Sequence, residues 1–490
     1  MAMRGRLQDL PARVALALLL AASAASGGCA GFSPDAGMFV VEAAASAELG
    51  KDVTKIRGDR DSAAVMARVK NLLGRPLTAS DAVQIALINN RALQAAFNEL
   101  GISEAQMVEA SLPPPPTLSF LRIAGSGGFE IERQILQNVL ALLTLPGCRE
   151  IAEARFRQAQ ARAVNTTLHV GMEAARAYYR AVAANEALRF LEESRLSAEA
   201  VSDVAMQLGE TGAMSKLDQA REHVFYAELS GQMATARLRF RSERERLIRA
   251  LGLWGDDIKV RLPNKLAALP GRPRTMASVE REAVLRRTDL VIARMELDIV
   301  ALELGLTRKT RFINALEVAG ISKTEKDVRT DGGQMEVDKI RRGGFELDIQ
   351  IPIYDFGEAS VRLAEETYMQ AVNRLLERAV NARSEAREAY QAYRGAYDIA
   401  RHYEREVLPL RQMISEETML NYNAMIRDLF ALLGEARARI TANIQAIEAR
   451  REFWLATVDL HAAIVGGRGD ETAQRPSTIL TAASAEPRGH

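Results

Sequence analysis

The sequence predicts a mainly α-helical chain with a small β part: a tandem repeat of long antiparallel α-hairpins that also carries four strands. Three observations predict this. Segments recur in the same order along two halves, small residues form seams of 3.5-residue period, and alternating stretches sit in matching places of each half. Composition agrees. Hydrophobic residues at 48% and charged residues at 26% are globular values that exclude wholesale disorder, and 5% aromatics is low for a β-sandwich or a carbohydrate-binding protein. A formal charge of +1 gives no global attraction to nucleic acid. The two cysteines, Cys29 and Cys148, cannot build a disulfide framework or a four-cysteine zinc site.

Residues 1–28 read as a signal peptide. Arg4, Arg6 and Arg13 precede the apolar run 14–22, and small residues follow up to Cys29. Ser26-Gly27-Gly28-Cys29 resembles a bacterial lipobox, with Ser where Leu is usual. That resemblance implies acylation (palmitate among the chains) at Cys29 and, with Ala30 next, an outer-membrane destination. Several acyl chains, each burying about 0.8 kcal/mol per CH₂, make a firm anchor. Cleavage near Ala22-Ser23-Ala24 would instead leave Cys29 a free thiol. Cys29→Ser is expected to remove lipid mass from the mature protein, and an unchanged mature mass would contradict the lipobox reading. Beyond the signal no run of eighteen apolar residues occurs, so no helical membrane span is expected. Residues 29–76 have weak periodicity and are expected as an extended segment after the anchor.

The repeat organises the rest. Residues 85–96 align with 282–293, Gln158-Ala159 with Gln370-Ala371, Ala213-Met214 with Ala424-Met425, and Gly252 with Gly466. The spacing changes once, between about residues 120 and 150, as one insertion would change it. This divides the chain into a first repeat, 77–270, a second repeat, 271–467, and a polar tail, 468–490, expected to be disordered. Each repeat holds a long helix with a small-residue seam. Ala163, Thr167, Val170, Ala174, Ala177, Ala181, Ala184, Leu188 and Leu191 step by four and three. Leu375, Ala379, Ala382, Ala386, Ala389, Tyr393, Ala396, Ala400, Tyr403, Val407 and Leu410 do the same in the second copy. Such a period marks helices packed as coiled coils, with axes brought close by alanine. As one helix, 358–421 would span roughly 96 Å at 1.5 Å per residue, with Pro409 expected to kink or interrupt it. The chain then turns back through 208–213 in the first copy and 421–424 in the second.

Strand signals precede each long helix. Phe345, Leu347, Ile349 and Ile351 alternate with Glu346, Asp348 and Gln350, which puts an apolar face opposite a polar one. The expected partner is 312–321, with 323–333 as an exposed charged loop. In the first copy, 117–123 and 129–135 flank a glycine-rich loop, after Pro113 to Pro116 stop the preceding helix. A small soluble hairpin packed on a helix would explain the alternation. So would a β-barrel with lipid outside and water inside, with Phe345, Leu347, Ile349 and Ile351 lipid-facing. Four strands cannot close such a barrel, and hydrocarbon does not tolerate open edges. A membrane reading therefore requires several protomers to pool their strands.

With these features in order, the chain resembles the TolC-type outer-membrane efflux proteins over about residues 77–467. The resemblance is carried by 77–96 as the opening helix, by Ile351-Pro352-Ile353-Tyr354-Asp355-Phe356-Gly357 as the strand-to-helix junction, and by Leu208-Gly209 with Leu217-Asp218 as the first tip. It implies a homotrimer with a twelve-stranded barrel in the outer membrane and a twelve-helix α-barrel through the periplasm. It also implies a periplasmic adaptor at the helix tips and an inner-membrane pump behind it. Gly209, Gly212, Leu217, Asp218, Tyr422 and Met425 would then line the periplasmic entrance or touch the adaptor; each also fits an ordinary turn or core position. One departure stands out. Many members carry two aspartates after the second tip, where this chain reads Ala431-Leu432-Leu433-Gly434, leaving Asp428 or Glu435 as substitutes.

No chemistry is expected. His169, His223, His402, His461 and His490 lack any metal-ligand spacing, and the glycine-rich stretch 125–128 leads into a strand pattern rather than a helix. Cys148 in Leu145-Pro146-Gly147-Cys148 is expected before a helix start, without a partnering histidine. No catalytic residue, metal, cofactor or nucleic acid is assigned. The rival to a passive export duct is a lipid-anchored periplasmic coiled-coil structural or adaptor protein without a pore. Cargo is open among drugs, metal ions and polypeptides. The run 134–146 resembles a branch linked to heavy-metal efflux, although no Met or His cluster supports metal contact.

Overall fold

The computed structural model describes residues 31–125, 128–212, 214–331, 334–427 and 429–467. The signal peptide, Cys29 and the 468–490 tail lie outside them. In chain order the elements are α1 (Phe39–Leu49), α2 (Asp59–Leu73), α3 (Ala79–Asn89), α4 (Arg91–Ser111), β1 (Thr117–Gly125) and β2 (Gly128–Asn138). There follow α5 (Val139–Glu210), α6 (Lys216–Leu251), α7 (Val279–Arg286), α8 (Thr288–Thr310), β3 (Ala315–Asp331) and β4 (Gln334–Gln350). The last are α9 (Glu358–His402), a π turn (Tyr403–Val407), α10 (Leu408–Asn423) and α11 (Leu429–Val465). The chain divides into two compact units, one gathering Gln94–Val164 and Arg286–Ser384 with the chain up to Ala47, the other the remainder.

The first unit holds the sheet, whose antiparallel order is β1-β2-β3-β4. In the same unit Ile151 and Ala154 of α5 pack on Ile299 of α8, and Gln158 Nε2 donates to the Ile292 carbonyl at 3.3 Å. Ser33 and Asp35 form the turn that opens α1: the Gly37 amide donates to Ser33 Oγ (2.9 Å) and the Phe39 amide to Asp35 Oδ2 (2.7 Å). Buried Glu104 of α4 accepts the Ser33 amide at 2.7 Å, which ties this turn down. Helix α5 starts straight from β2, with Asn138 Oδ1 accepting the Ala141 amide at 2.8 Å as an N-cap. Pro146 and Cys148 are therefore inside a helix. This corrects the reading of Cys148 as preceding a helix start: the Asn138 cap sets the start well before the proline, and the half-buried thiol has no helix N-terminus beside it.

The second unit has an apolar core of Val65 and Val69 from α2, Leu77, Ile85 and Ile88 around α3, Ala174, Ala177 and Ala181 from α5, and Leu247 and Leu251 from α6. Val65 and Val69, four apart on one helix face, show why the segment read as extended instead carries α1 and α2: α2 buries that narrow stripe while Asp59 and Asp61 favour its N-terminus. The opening helix is also broken. Asn90 has an extended backbone (φ −66°, ψ 121°), and its side chain accepts the amides of Ala92 (2.9 Å) and Leu93 (3.2 Å) to start α4. Arg287, its counterpart between α7 and α8, has nearly the same backbone (φ −61°, ψ 122°) and is held by Asp289 at 2.7 Å. Gly252 (φ +68°) closes the α6 end so tightly that a Cβ would stand 3.0 Å from the Asn89 carbonyl oxygen.

Helices α5 and α6 run antiparallel, since contacts pair Ser202 with His223, Glu199 with Tyr226 and Glu192 with Arg237. Likewise Tyr403 of the π turn meets Gln445 of α11, and Arg411 of α10 meets Glu435 of α11. The α5 seam is buried at Ala174, Ala177, Ala181, Ala184, Leu188 and Leu191. In α9, Ala382, Ala386, Tyr393 and Ala400 are buried, while Ala396 yields its place to Tyr397. Tyr397 instead donates to the Pro270 carbonyl at 3.0 Å and pins the segment that leads to α7. The interruption expected near Pro409 is the π turn just before it, where the missing proline amide leaves the ladder to rearrange.

Candidate functional site

Two places carry the expected functional residues: the sheet in the first unit and the helix tips in the second. In the sheet, β1 and β2 have 9 and 11 residues and β3 and β4 have 17 each. The stretch 323–333 is therefore strand up to Asp331 and not a loop. Its charges looked solvated, yet Lys323 pairs in register with Arg342 and Thr324 with Arg341. The last pair in register is Asp331 with Gln334. The same register extends β4 back to Gln334.

Register also assigns the faces. Phe345 lies opposite Gly320, Leu347 opposite Val318 and Ile349 opposite Leu316. Gly320 continues to Ile135 and then Leu118, so these residues share one side. That side also carries Phe120 and Ile131, giving an apolar belt in which Phe345 is 84% exposed. The other side carries Glu130, Glu132, Glu317, Glu325, Glu346 and Asp348. Ile351, expected to be lipid-facing, lies beyond the end of β4 in a turn where the Ile353 amide bonds its carbonyl at 2.9 Å. The residues missed by sequence reading are those of β3 and β4 past Ser322. The signal was present, since Asp331-Gly332-Gly333-Gln334 is a turn sequence between two stretches of strand length.

The junction after β4 is sharply wound. Phe356 (φ +48°) and Gly357 (φ +74°) are both left-handed. Asp355 accepts the amides of Gly357 (3.0 Å) and Ala359 (3.2 Å), which pull its carboxyl below the usual 3.8. Arg311 Nε donates to the Phe356 carbonyl at 3.1 Å.

At the first tip α5 runs on to Glu210, so Gly209 is its last-turn residue and the turn itself is Thr211 and Gly212 (φ +78°). A Cβ on Gly209 would fall 1.8 Å from Gln219 Nε2, which donates to the Met214 carbonyl at 3.2 Å. Leu217 is exposed at the start of α6. Asp218 lies in the same turn; its side chain is outside the described residues, as is Asp428. At the second tip the Met425 amide bonds the Tyr422 carbonyl at 2.9 Å and the Ile426 amide bonds the Asn421 carbonyl at 2.8 Å. This is the Schellman pattern, and it puts Met425 in the left-handed position (φ +59°) that glycine normally takes. Met425 is 94% exposed and Ile426 is exposed beside it. Met425→Gly is expected to stabilise this tip by about 1 kcal/mol, since an L-residue costs roughly 1–2 there; thermal melts in which the variant is no more stable would contradict the strain. Glu435 is held by Arg411 through Oε2 at 3.2 Å and is nearly buried. Among the described residues no group of three His, Cys, Asp or Glu side chains is placed to hold a metal ion.

An open sheet with one apolar face, on a chain of long paired helices, defines a class, the TolC-type outer-membrane channel fold. The match is seen in solved structures. The CusC channel aligns with a TM-score of 0.64 at 15% identity, covering 79% of this chain and 92% of that one. The Campylobacter jejuni CmeC outer-membrane channel gives 0.62 at 18% identity, covering 79% and 86%. The open state of the Neisseria gonorrhoeae MtrE outer-membrane channel gives 0.59 at 17% identity, covering 79% and 88%. No family model matches the chain and no curated protein matches it.

Proposed function

We propose that this chain is the outer-membrane channel component of a tripartite efflux system. It acts as a homotrimer whose pooled strands close a twelve-stranded barrel. Substrate delivered by an inner-membrane pump through a periplasmic adaptor passes down the α-barrel to the exterior, and Cys29 adds a lipid anchor. The chain works as a passive duct and not as an enzyme. The observation that carries this reading is the sheet, which has an apolar belt on one face and is carboxylate-rich on the other, with β1 and β4 as open edges. Hydrocarbon accepts such a sheet only when the edges are paired and the apolar face is outward. The tips with Gly209, Gly212, Leu217, Asp218, Tyr422 and Met425 form the periplasmic entrance and the adaptor contact on this reading. The recurrence of the Asn90 break at Arg287 supports the tandem repeat behind the helix count.

Single-cysteine labelling in intact cells tests it. Ala124→Cys, near the end of β1, is expected to react with a membrane-impermeant maleimide from outside. Leu217→Cys is expected to react only once the outer membrane is permeabilised. Protection of Ala124→Cys until permeabilisation would instead place the whole chain in the periplasm, as a structural protein without a pore.

A further inference from the structure

The two faces of the sheet differ in charge as well as in polarity. In register, Arg122, Ile131, Thr324 and Arg341 form one row across all four strands. The same-face row on the belt side is Phe120, Arg133, Ser322 and Gly343, and the row on the far side is Ala124, Phe129, Lys326 and Lys339. Five cations thus fall in three adjacent rows, within about 14 Å along the strands and about 15 Å across them. Every described carboxylate of the sheet lies on the opposite face, where Lys323 pairs with Glu130. None of the five cations has an ion-pair partner among the described residues. Arg122 and Lys326 lie over the Phe129 ring at 5.9 and 5.8 Å, and Lys326 stands directly opposite Lys339. Like charges in direct register repel, so the fold retains an arrangement that an anion would relieve.

We propose that this basic band binds the phosphorylated headgroups of membrane lipid on the outward surface of the barrel. The inference rests on the pooled-barrel reading, which turns the apolar belt toward hydrocarbon. The band overlaps the hairpin-side rim of that belt, with Phe120 and Ile131 in its rows, and on the barrel reading this rim is the level where acyl chains give way to headgroups. Long Arg and Lys side chains reach along apolar surface to such a boundary. Guanidinium groups bind phosphate oxygens in pairs, and the Ser322 hydroxyl lies in the row of the band nearest the belt. A lipid with two phosphates fits both the spread of the cations and the adjoining apolar belt, whereas a free phosphate would use only one or two of them.

Native mass spectrometry of the full-length protein in neutral detergent tests this with two probes, a diphosphorylated glycolipid and the same glycolipid stripped of phosphate. The wild type is expected to retain the phosphorylated form preferentially, and the preference should fall on the order of fivefold per neutralised cation in Arg122→Gln, Lys339→Gln and Arg341→Gln combined. Arg122→Lys with Arg341→Lys should keep most of it, and Arg342→Gln, on the other face, all of it. A wild-type trimer that retains both lipids equally, or loses the phosphorylated one to excess inorganic phosphate, would overturn the proposal. So would equal loss in the Arg342→Gln control. A wild type that forms no oligomer would instead overturn the barrel reading beneath it.

Discussion

Leu347→Arg and Ile349→Arg are expected to remove assembled protein from the outer membrane. Both positions lie on the apolar face, Leu347 beside Val318 and Ile349 beside Leu316, and both are exposed on the single chain. In a pooled barrel that exposure is to hydrocarbon. An arginine there costs about 2–4 kcal/mol at the bilayer midplane, and a homotrimer incurs the cost three times. A domain is stable by only about 5–15 kcal/mol, so the penalty is large enough to prevent assembly. The matched control is Glu346→Gln, one residue away on the opposite face, which should assemble normally. Quantifying each variant in purified outer membranes decides the matter. Normal amounts of both arginine variants would mean that this face meets water.

Gly357→Ala should be the most damaging small substitution at the strand-to-helix junction. The residue sits at φ +74°, where any Cβ is strained. The Cβ would also stand 2.2 Å from the Arg311 carbonyl oxygen, a backbone atom that cannot rotate away. Strain alone costs roughly 1–2 kcal/mol; displacing the Arg311 backbone should raise the loss above that range. Gly212→Ala separates the two contributions, since it has a similar φ of +78° with nothing within 4 Å of its Cβ. Equal thermal shifts for the two variants would contradict the close approach of Arg311. Asp355 adds a pH signature at the same turn. Its folded-state carboxyl titrates below 3.8, so its contribution is complete above the unfolded value and is lost as pH falls through the folded one. Asp355→Ala should therefore flatten the acid end of the wild-type stability profile, and an unchanged profile would contradict a stabilising role for the amide contacts.

Much of this architecture could be read from residue pattern. The alanine seams revealed themselves because a 3.5-residue period sustained over many turns is the mark of paired long helices, and Ala174, Ala177 and Ala181 are indeed buried. Proline was less reliable as punctuation. Pro409 does mark an interruption, but Pro146 sits inside α5, where the cap at Asn138 and the packing of Ile151 and Ala154 outweigh one missing amide. The far half of the second hairpin was hidden for a different reason. Above the apolar belt both faces of β3 and β4 carry charge, so period-two hydrophobicity vanishes while the backbone ladder continues from Lys323 to Asp331. The segregation of cations from carboxylates depends on register, which pattern alone does not fix. At the second tip, absence of glycine was visible in Ala424-Met425, but only the backbone shows that Met425 accepts the left-handed position regardless.

The pooled barrel is tested most directly by the native mass of the protein extracted in detergent from purified outer membranes. A complex of three chains is the predicted result, with the edges of β1 and β4 paired between neighbours. A single chain, or no protein in that membrane at all, would contradict the channel and leave a periplasmic structural protein in its place.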